Sequence, residues 1–307
     1  MSKAIQLALA VGASPVQLAD AAAIAAVAEE VGVAAIRLVD GGAGRTLDPT
    51  VVGAYLAGIH GRVGYVAEVP TTHNAPYNTA RRVLSLDRAT AGRTGIALRA
   101  GSGDEVSEAT VPDPSATDPT QRWTEYALVL TRLWESFPRA ALIGDQAAGL
   151  VIDDALIEPI NHEAAFYRVA GPLDGPSSAQ GRPVLVADLG TLDPVAVARS
   201  ADVVVVDRER AAGADAALAV ALRQVGRSRE DVALLGRVEV GPDTPAVELR
   251  AWAAEHRLNG FELVPEGGAA AVVAMLRQLV TQIVDPAAFP PTLRTAFGLR
   301  EVAEVLT

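Results

Sequence analysis

Cysteine is absent from the 307-residue chain. That excludes a disulfide framework, a thiolate metal site and a cysteine nucleophile. Positive charge is scarce: 26 Lys and Arg face 37 Asp and Glu, for a formal charge of -11 at pH 7. No basic stripe offsets this balance, which argues against nucleic acid or an anionic membrane as a partner. Every apolar run is too short to span a bilayer. The opening MSKAIQLALAVGASP holds one Lys and a short apolar run, so it reads as a strand and not a leader. A cytoplasmic location is therefore expected. The HExxH, GxSxG and Walker patterns are missing as well. Zinc proteolysis, serine hydrolysis and P-loop chemistry are without support, and no metal site is expected.

Half of the residues are hydrophobic, enough for a sizeable core. They are arranged in one repeated alternation. Apolar strands are expected at Ile5–Val11, Ala34–Val39, Val63–Val69 and Thr94–Arg99. Helices follow the first three at Ala19–Val31, Pro49–His60 and Tyr77–Ala89. The rhythm then breaks. Ala100–Thr120 is rich in Gly, Asp, Ser and Pro and reads as loop. Gln121–Phe137 is a strong amphipathic helix, with Trp123, Tyr126, Leu130, Leu133 and Trp134 near the helical period. A long excursion without a clear helix covers about 138–182. The alternation resumes with strands at Pro183–Ala187, Val203–Val206, Val232–Val240 and Phe261–Val264. Their helices are Pro194–Ser200, Ala211–Val225, Pro245–Glu255 and Ala269–Val284.

The strands lack strict period-two alternation, as expected when both faces are buried. Eight such units predict an α/β chain folded as a single (β/α)8 TIM barrel over residues 1–307. An open doubly wound sheet is the rival, but Gly-Ala-Ser-Pro stands after the first strand where a dinucleotide fold wants GxGxxG. In a barrel, chemistry gathers at the C-terminal ends of the strands. That rim receives Asp40, then Thr71, Thr72, His73 and Asn74, then Arg99 and Gly101-Ser102-Gly103. Further round come Asp188, Gly190 and Thr191, and finally Glu266, Gly267 and Gly268. Asp40 before two glycines also suits a plain turn, and short Gly clusters are weak phosphate signals. His162 reads as structural, and His60 and His256 as helix-end residues without a role.

The stretch PYNTARRVLSLDRATAGRTG resembles the PYxxARxxxxLDxxSxGRxGW segment of bacterial luciferase-like, flavin-dependent monooxygenases. The resemblance is strongest to the branch of nitrilotriacetate and dibenzothiophene-sulfone monooxygenases. It continues through RWTEYALVLTRLWES, INHEAAFYRVAGPLDGPSSAQGRPVLV, ARSADVVV and NGFELVP to PTLRTAFGLRE. It implies a luciferase-like barrel with shortened insertions. It also implies reduced FMN from a separate flavin reductase, O2, a small-molecule organic substrate and a homodimer. Asp40 and Thr71 stand at flavin-contact positions of the family, and His73 is the candidate catalytic residue.

The departures lie around the flavin. Ile96 and Ala97 replace a Trp-Asn pair, and Arg99 stands near that strand's end. Pro119 and Trp123 replace a His and a Tyr. Of the family's Gly-Ser-Gly phosphate turn this chain has Asp188, Gly190 and Asp193, with Thr191 beside them. The cofactor set that the resemblance implies is thus Asp40, Thr71, Arg99, Trp123, Gly190 and Thr191. Carboxylates in such a turn repel a phosphate dianion, at about 2–3 kcal/mol for a pair ~6 Å apart. Two readings follow: a working FMN monooxygenase with a remodelled site, or a degenerate barrel that serves as a binding or partner subunit.

Overall fold

The computed structural model describes residues 3–12, 16–41, 46–101, 111–190, 192–284 and 290–302. The first half runs β1 (Ala4–Leu9), α1 (Leu18–Val31), β2 (Ala35–Leu38), α2 (Pro49–Ala57), β3 (Gly64–Pro70), α3 (Pro76–Ala89), β4 (Thr94–Arg99) and α4 (Pro119–Glu135). Two small antiparallel ladders follow, β5 (Leu142–Asp145) with β6 (Leu150–Ile152), and β7 (His162–Glu163) with β8 (Arg168–Val169). The alternation returns with β9 (Val184–Asp188), α5 (Pro194–Ser200), β10 (Val203–Asp207), α6 (Ala214–Gln224), β11 (Ala233–Val240), α7 (Ala246–Glu255) and β12 (Gly260–Pro265). Then come α8 (Ala269–Met275), a π-helical turn at Leu276–Val280, α9 (Thr281–Ile283) and α10 (Leu293–Ala296).

Strands β1 to β4 and β9 to β12 close into one parallel barrel. Closure is made by β1, which pairs with β12 on one side and β2 on the other, so the open-sheet alternative is excluded. The expected strands and helices are all present, with ends shifted by a few residues. One shift has a clear cause. Asp118 caps α4 by accepting the N–H groups of Thr120 and Gln121, so the helix starts at Pro119. The same Asp-Pro device opens α2 at Asp48 and α5 at Asp193. The carboxylate takes orphan N–H groups, and proline at the first helical position loses nothing by lacking one.

The barrel strands do alternate, but between two buried environments. Ile36, Leu38, Tyr65, Ile96, Leu98, Leu185, Val204 and Leu263 face the helices and join the large outer core. The residues between them point to the axis. Low in the barrel these are Ala35, Val66, Ala97, Val186, Val205 and Leu235. Leu293, Phe297 and Leu299 from the tail pack against this group and stop the floor of the barrel. Gly64 makes room for that stopper: a Cβ there would lie 2.7 Å from Leu293 Cδ1 and 2.9 Å from the Ala34 carbonyl oxygen.

Two buried carboxylates fasten the segments outside the barrel. Asp202, fully buried, receives Arg182 at 2.9 and 3.0 Å, Arg294 at 2.7 Å and the Leu185 N–H at 2.9 Å. Asp87 of α3 accepts the Thr94 N–H at 2.9 Å, Gln180 Nε2 at 2.8 Å and the Ser178 hydroxyl. It thereby ties α3 to β4 and to the end of the 138–182 excursion. Burial pushes the Asp87 carboxyl up to about 6, against the pull of those hydrogen bonds. A pKa raised on folding means that Asp87 stabilises the fold most below the unfolded value near 4 and loses that contribution as pH rises through 6. Asp87→Asn should therefore be near neutral at pH 4.5 and stabilising by about 1–3 kcal/mol at pH 8. Urea titrations of both proteins across that range check the expectation. A variant less stable at pH 8 would show that the carboxylate's hydrogen bonds outweigh its burial.

Candidate active site

Toward the C-terminal mouth the axial positions change from apolar to charged in seven of the eight strands. They are Arg37, Glu68, Arg99, Asp188, Asp207, Arg237 and Glu262, and β1 adds Gln6. Arg37 lies at the centre of this layer, almost fully buried. Its guanidinium contacts Glu68 at 2.6 Å, both oxygens of Asp188 at 2.8 and 2.9 Å, and Glu262 at 3.1 Å. Arg237 repeats the pattern with Asp188 at 2.6 Å, Glu262 at 2.6 Å and Asp207 at 3.1 Å. Gln6 donates to Glu262 at 2.5 Å, while its own buried carbonyl oxygen has no partner.

Burial works against the charge on Arg37. The carboxylates of Glu262, Asp188 and Glu68 overcome it and hold the guanidinium firmly protonated. Burial also favours a protonated Asp188, but hydrogen bonds and charge from Arg37 and Arg237 prevail and hold that carboxyl below its usual range. Glu68 is the opposite case. Burial dominates there, and its carboxyl is raised despite Arg37 and Arg99.

Beside the layer, over β2 to β4, lies a cavity of about 480 Å³. Glu68, Asp40, Thr72, His73, Arg82 and Arg99 contribute to its wall. Arg99 is held on two sides, by Glu68 at 3.2 Å and Asp40 at 3.4 Å. Arg82 is steadied by Asn74 at 3.3 Å and Asp48 at 3.8 Å. His73 has a positive φ of 60°, a left-handed conformation that few side chains other than Asn, Asp and His adopt. The turn it makes leads β3 into α3. Asp40, His73 and Arg99 thus share one cavity, and Asp188 is linked to it through Arg37 and Glu68.

Other expected contacts belong to the scaffold. Thr71 is buried, its hydroxyl accepting the Gly101 N–H at 3.1 Å and its carbonyl the Tyr167 hydroxyl at 3.1 Å. Thr72, not Thr71, reaches the cavity. Trp123 is fully buried and donates its indole N–H to the Leu98 carbonyl at 2.7 Å. It is a core residue, because a large ring on the inner face of α4 packs against β4 instead of turning to the mouth. Gly190 offers its carbonyl to Arg210 at 2.7 Å. Asp193 is the cap of α5, with its carboxylate on the Ala196 N–H at 3.1 Å. Asp188 is thus paired with Arg37 and Arg237, and Asp193 is engaged as a helix cap. Thr191, Ser102 and Gly103 lie outside the described residues. Glu266, Gly267 and Gly268 do not line the cavity. His162 is bonded to Glu125 at 3.0 Å, as a structural role requires.

Arg37, Glu68, Arg237 and Glu262 are the residues that sequence reasoning missed. Arg37, Glu68 and Glu262 are lone charges inside apolar strands, in AIRL, VAEV and GFELV, and Arg237 shares the stretch GRVEV with Glu239. The signal was available: a charge in a strand buried on both faces needs partners, and several such strands converge on one axis.

A closed parallel barrel with a lined cavity at its C-terminal mouth defines the (β/α)8-barrel class. The family profile described as luciferase-like monooxygenase matches residues 4–278, and the chain belongs to that family. Nitrilotriacetate monooxygenase component A of Aminobacter aminovorans is 32% identical over 203 residues, which is 64% of this chain and 45% of the relative. Dibenzothiophene-sulfone monooxygenase of Rhodococcus erythropolis is 31% identical over 142 residues, 46% of this chain and 31% of the relative. The matched stretches thus span less than half the length of these relatives. The solved structure of EDTA monooxygenase (EmoA) from Chelativorans sp. BNC1 has the same fold, with a TM-score of 0.82 at 18% identity over 98% of this chain and 99% of that one. Among the described residues no helix is long and apolar enough to cross a membrane, and no cluster of His, Asp and Glu could hold a metal ion.

Proposed function

We propose that the chain is the oxygenase component of a two-component, flavin-dependent monooxygenase. It takes reduced FMN from a separate reductase, works in the cytoplasm as a homodimer, and oxygenates a small organic substrate with O2. The observation that carries this reading is the cavity at the C-terminal mouth, in a chain whose family match covers nearly the whole barrel.

The residues present fit a flavin, at positions of their own. At about 480 Å³ the cavity has the size of a cofactor site. Its cations, Arg82 and Arg99, suit a phosphate, since both line the cavity and both are half exposed. FMN, when bound, supplies the oxygen-activating ring. The chain's part is orientation and exclusion of water. Glu68 and Asp40 fix the Arg99 guanidinium, Thr72 shapes the wall, and His73 can hold or pass a proton at the cavity edge.

Titration with FMN, followed by quenching of flavin fluorescence, tests the reading. Arg99→Gln should weaken FMN by about 10–100-fold, the loss of one charge-assisted contact. It should leave riboflavin, which lacks the phosphate, nearly unchanged. Equal losses for both ligands would place the phosphate elsewhere. A second reading has an observation of its own. The layer around Arg37 fills the barrel axis with ion pairs, and Asp188 of that layer stands where the family resemblance calls for a glycine of the phosphate turn. A wild-type chain that binds neither FMN nor riboflavin would establish that reading, a non-catalytic partner barrel, over the first.

A further inference from the structure

Glu68 joins the axial ion-pair layer to the cavity wall. Its Oε2 accepts Arg37 Nη2 at 2.6 Å and Nε at 3.2 Å, from within the layer. Its Oε1 meets Arg99 Nε at 3.2 Å, and Arg99 lines the cavity with it. The two grips differ. Arg37 is almost fully buried and is locked by Asp188 and Glu262 as well. The Arg99 side chain is 44% exposed and meets Glu68 and Asp40 at 3.2 and 3.4 Å, through one nitrogen each. Arg99 can turn to an anion in the cavity, and Arg37 cannot.

Among the described residues, negative charge is in excess around Glu68. Asp40 and Glu68 share Arg99; Glu68, Asp188 and Glu262 share Arg37; Asp188, Glu262 and Asp207 share Arg237. Five carboxylates thus face three guanidinium groups, with His73 on the same cavity wall. An anion entering the cavity adds to that excess and draws Arg99 away from Glu68. A proton taken up by one carboxylate restores the balance. Asp188 is a poor acceptor, because hydrogen bonds and charge from Arg37 and Arg237 hold it below its usual range. Glu262 keeps Arg37, Arg237 and Gln6. Asp40 and Asp207 reach water, which screens them. Glu68 is buried, and burial already raises its carboxyl against the pull of Arg37 and Arg99. Withdrawal of Arg99 removes one of those two pulls.

We infer that an anion held by Arg99 enters the cavity together with one proton, which passes from solvent to Oε1 of Glu68. The step breaks one ion pair and forms one O–H bond, while Oε2 keeps its contact with Arg37. The neutral carboxyl then presents an O–H at the cavity wall, a donor for whatever the cavity holds. The inference rests on Arg99 as the phosphate ligand of the proposed function. It gives that same cavity a second determinant, since Glu68 makes the affinity for an anionic ligand fall as pH rises.

Calorimetric titration with FMN at pH 7, in buffers of different ionisation enthalpy, counts the protons taken up. The wild-type chain should gain on the order of one-half to one proton per FMN bound. It should gain none with riboflavin, which has no phosphate to draw Arg99 away. Between pH 7 and pH 8 its FMN affinity should fall by about three- to tenfold. A phosphate monoester titrates at about 6, so its own ionisation contributes little over this range. Glu68→Gln keeps the size of the side chain and leaves Arg37 with Asp188 and Glu262. This variant should bind FMN without proton uptake and with nearly level affinity from pH 7 to pH 8. Uptake retained in Glu68→Gln would place the proton on another group, His73 foremost, and overturn the inference. So would a wild-type chain that binds FMN without uptake, or that takes up as many protons with riboflavin. Those two results need no variant, and they leave the flavin reading standing. A chain that binds neither flavin at any pH removes that reading and this inference with it.

Discussion

Arg37→Met should lower stability by about 3–5 kcal/mol at pH 7. Methionine preserves length and apolar stem, so the change removes charge with little loss of packing. Glu68, Asp188 and Glu262 then face a site without its central cation. Arg237 still serves Asp188 and Glu262, but Glu68 is left with Arg99 alone. Desolvated carboxylates without a counter-charge hold protons more tightly in the folded state than in the unfolded one. For the variant, stability is therefore present at low pH and lost as pH rises through those raised values. Denaturant midpoints of variant and wild type should converge at pH 5 and separate at pH 8. A variant as stable as wild type at pH 8 would show that the ion-pair layer adds nothing to stability.

Asp202→Asn should be comparably severe, at about 3–5 kcal/mol, with the opposite pH signature. Burial opposes the charge on Asp202, and Arg182 and Arg294 more than offset it, so the carboxyl lies well below its usual range. Such a group stabilises the fold above the unfolded pKa near 4, and the contribution drains away as pH falls below that value. The deficit of the variant should thus be full at pH 6 to 8 and shrink at the acid end. The change also releases the tail, because Arg294 lies in the first turn of α10, whose Leu293 stops the barrel floor. Trypsin should cut at Arg294 far faster in the variant, while a barrel that melts as a whole would show no such selective cleavage. Unchanged melting and digestion would mean that the tail is held by Leu293 and Phe297 without help from charge.

What the sequence disclosed follows from where local signals suffice. The eight barrel strands are short apolar runs cut off by turn residues. Their expected ends fall within a few residues of those observed, as for Val63–Val69 against Gly64–Pro70. The helices were equally legible through their Asp-Pro and glycine punctuation. The excursion was not. The two-residue ladder of β7 and β8 has no propensity of its own; Glu125 of α4 sets it by taking His162 and the N–H groups of Phe166 and Tyr167. Tertiary contacts of that kind leave no periodic trace. At the mouth, the place of Asp40, His73 and Arg99 around one cavity was legible because they follow strand ends. Glu68 and Arg37 were passed over because they sit within strands. The inward turn of Trp123 was not legible, because position in a motif does not reveal which way a ring on a helix points.

The stopper at the barrel floor also sets a schedule. Leu293, Phe297 and Leu299 follow all eight barrel strands in the chain, and β1 waits for β12 to complete its pairing. During synthesis the N-terminal segments emerge first. A growing chain that has made β1 to β4 has neither the strand that closes the ring nor the side chains that fill its base. Contacts of this span are slow to form, since a long loop must close before they repay it. The valine-rich interior stays open to water, and to other chains, until Leu293 to Leu299 leave the ribosome. The ring is therefore closed late, after most of the chain is made, and shielding of the half-made barrel falls to whatever binds nascent chains.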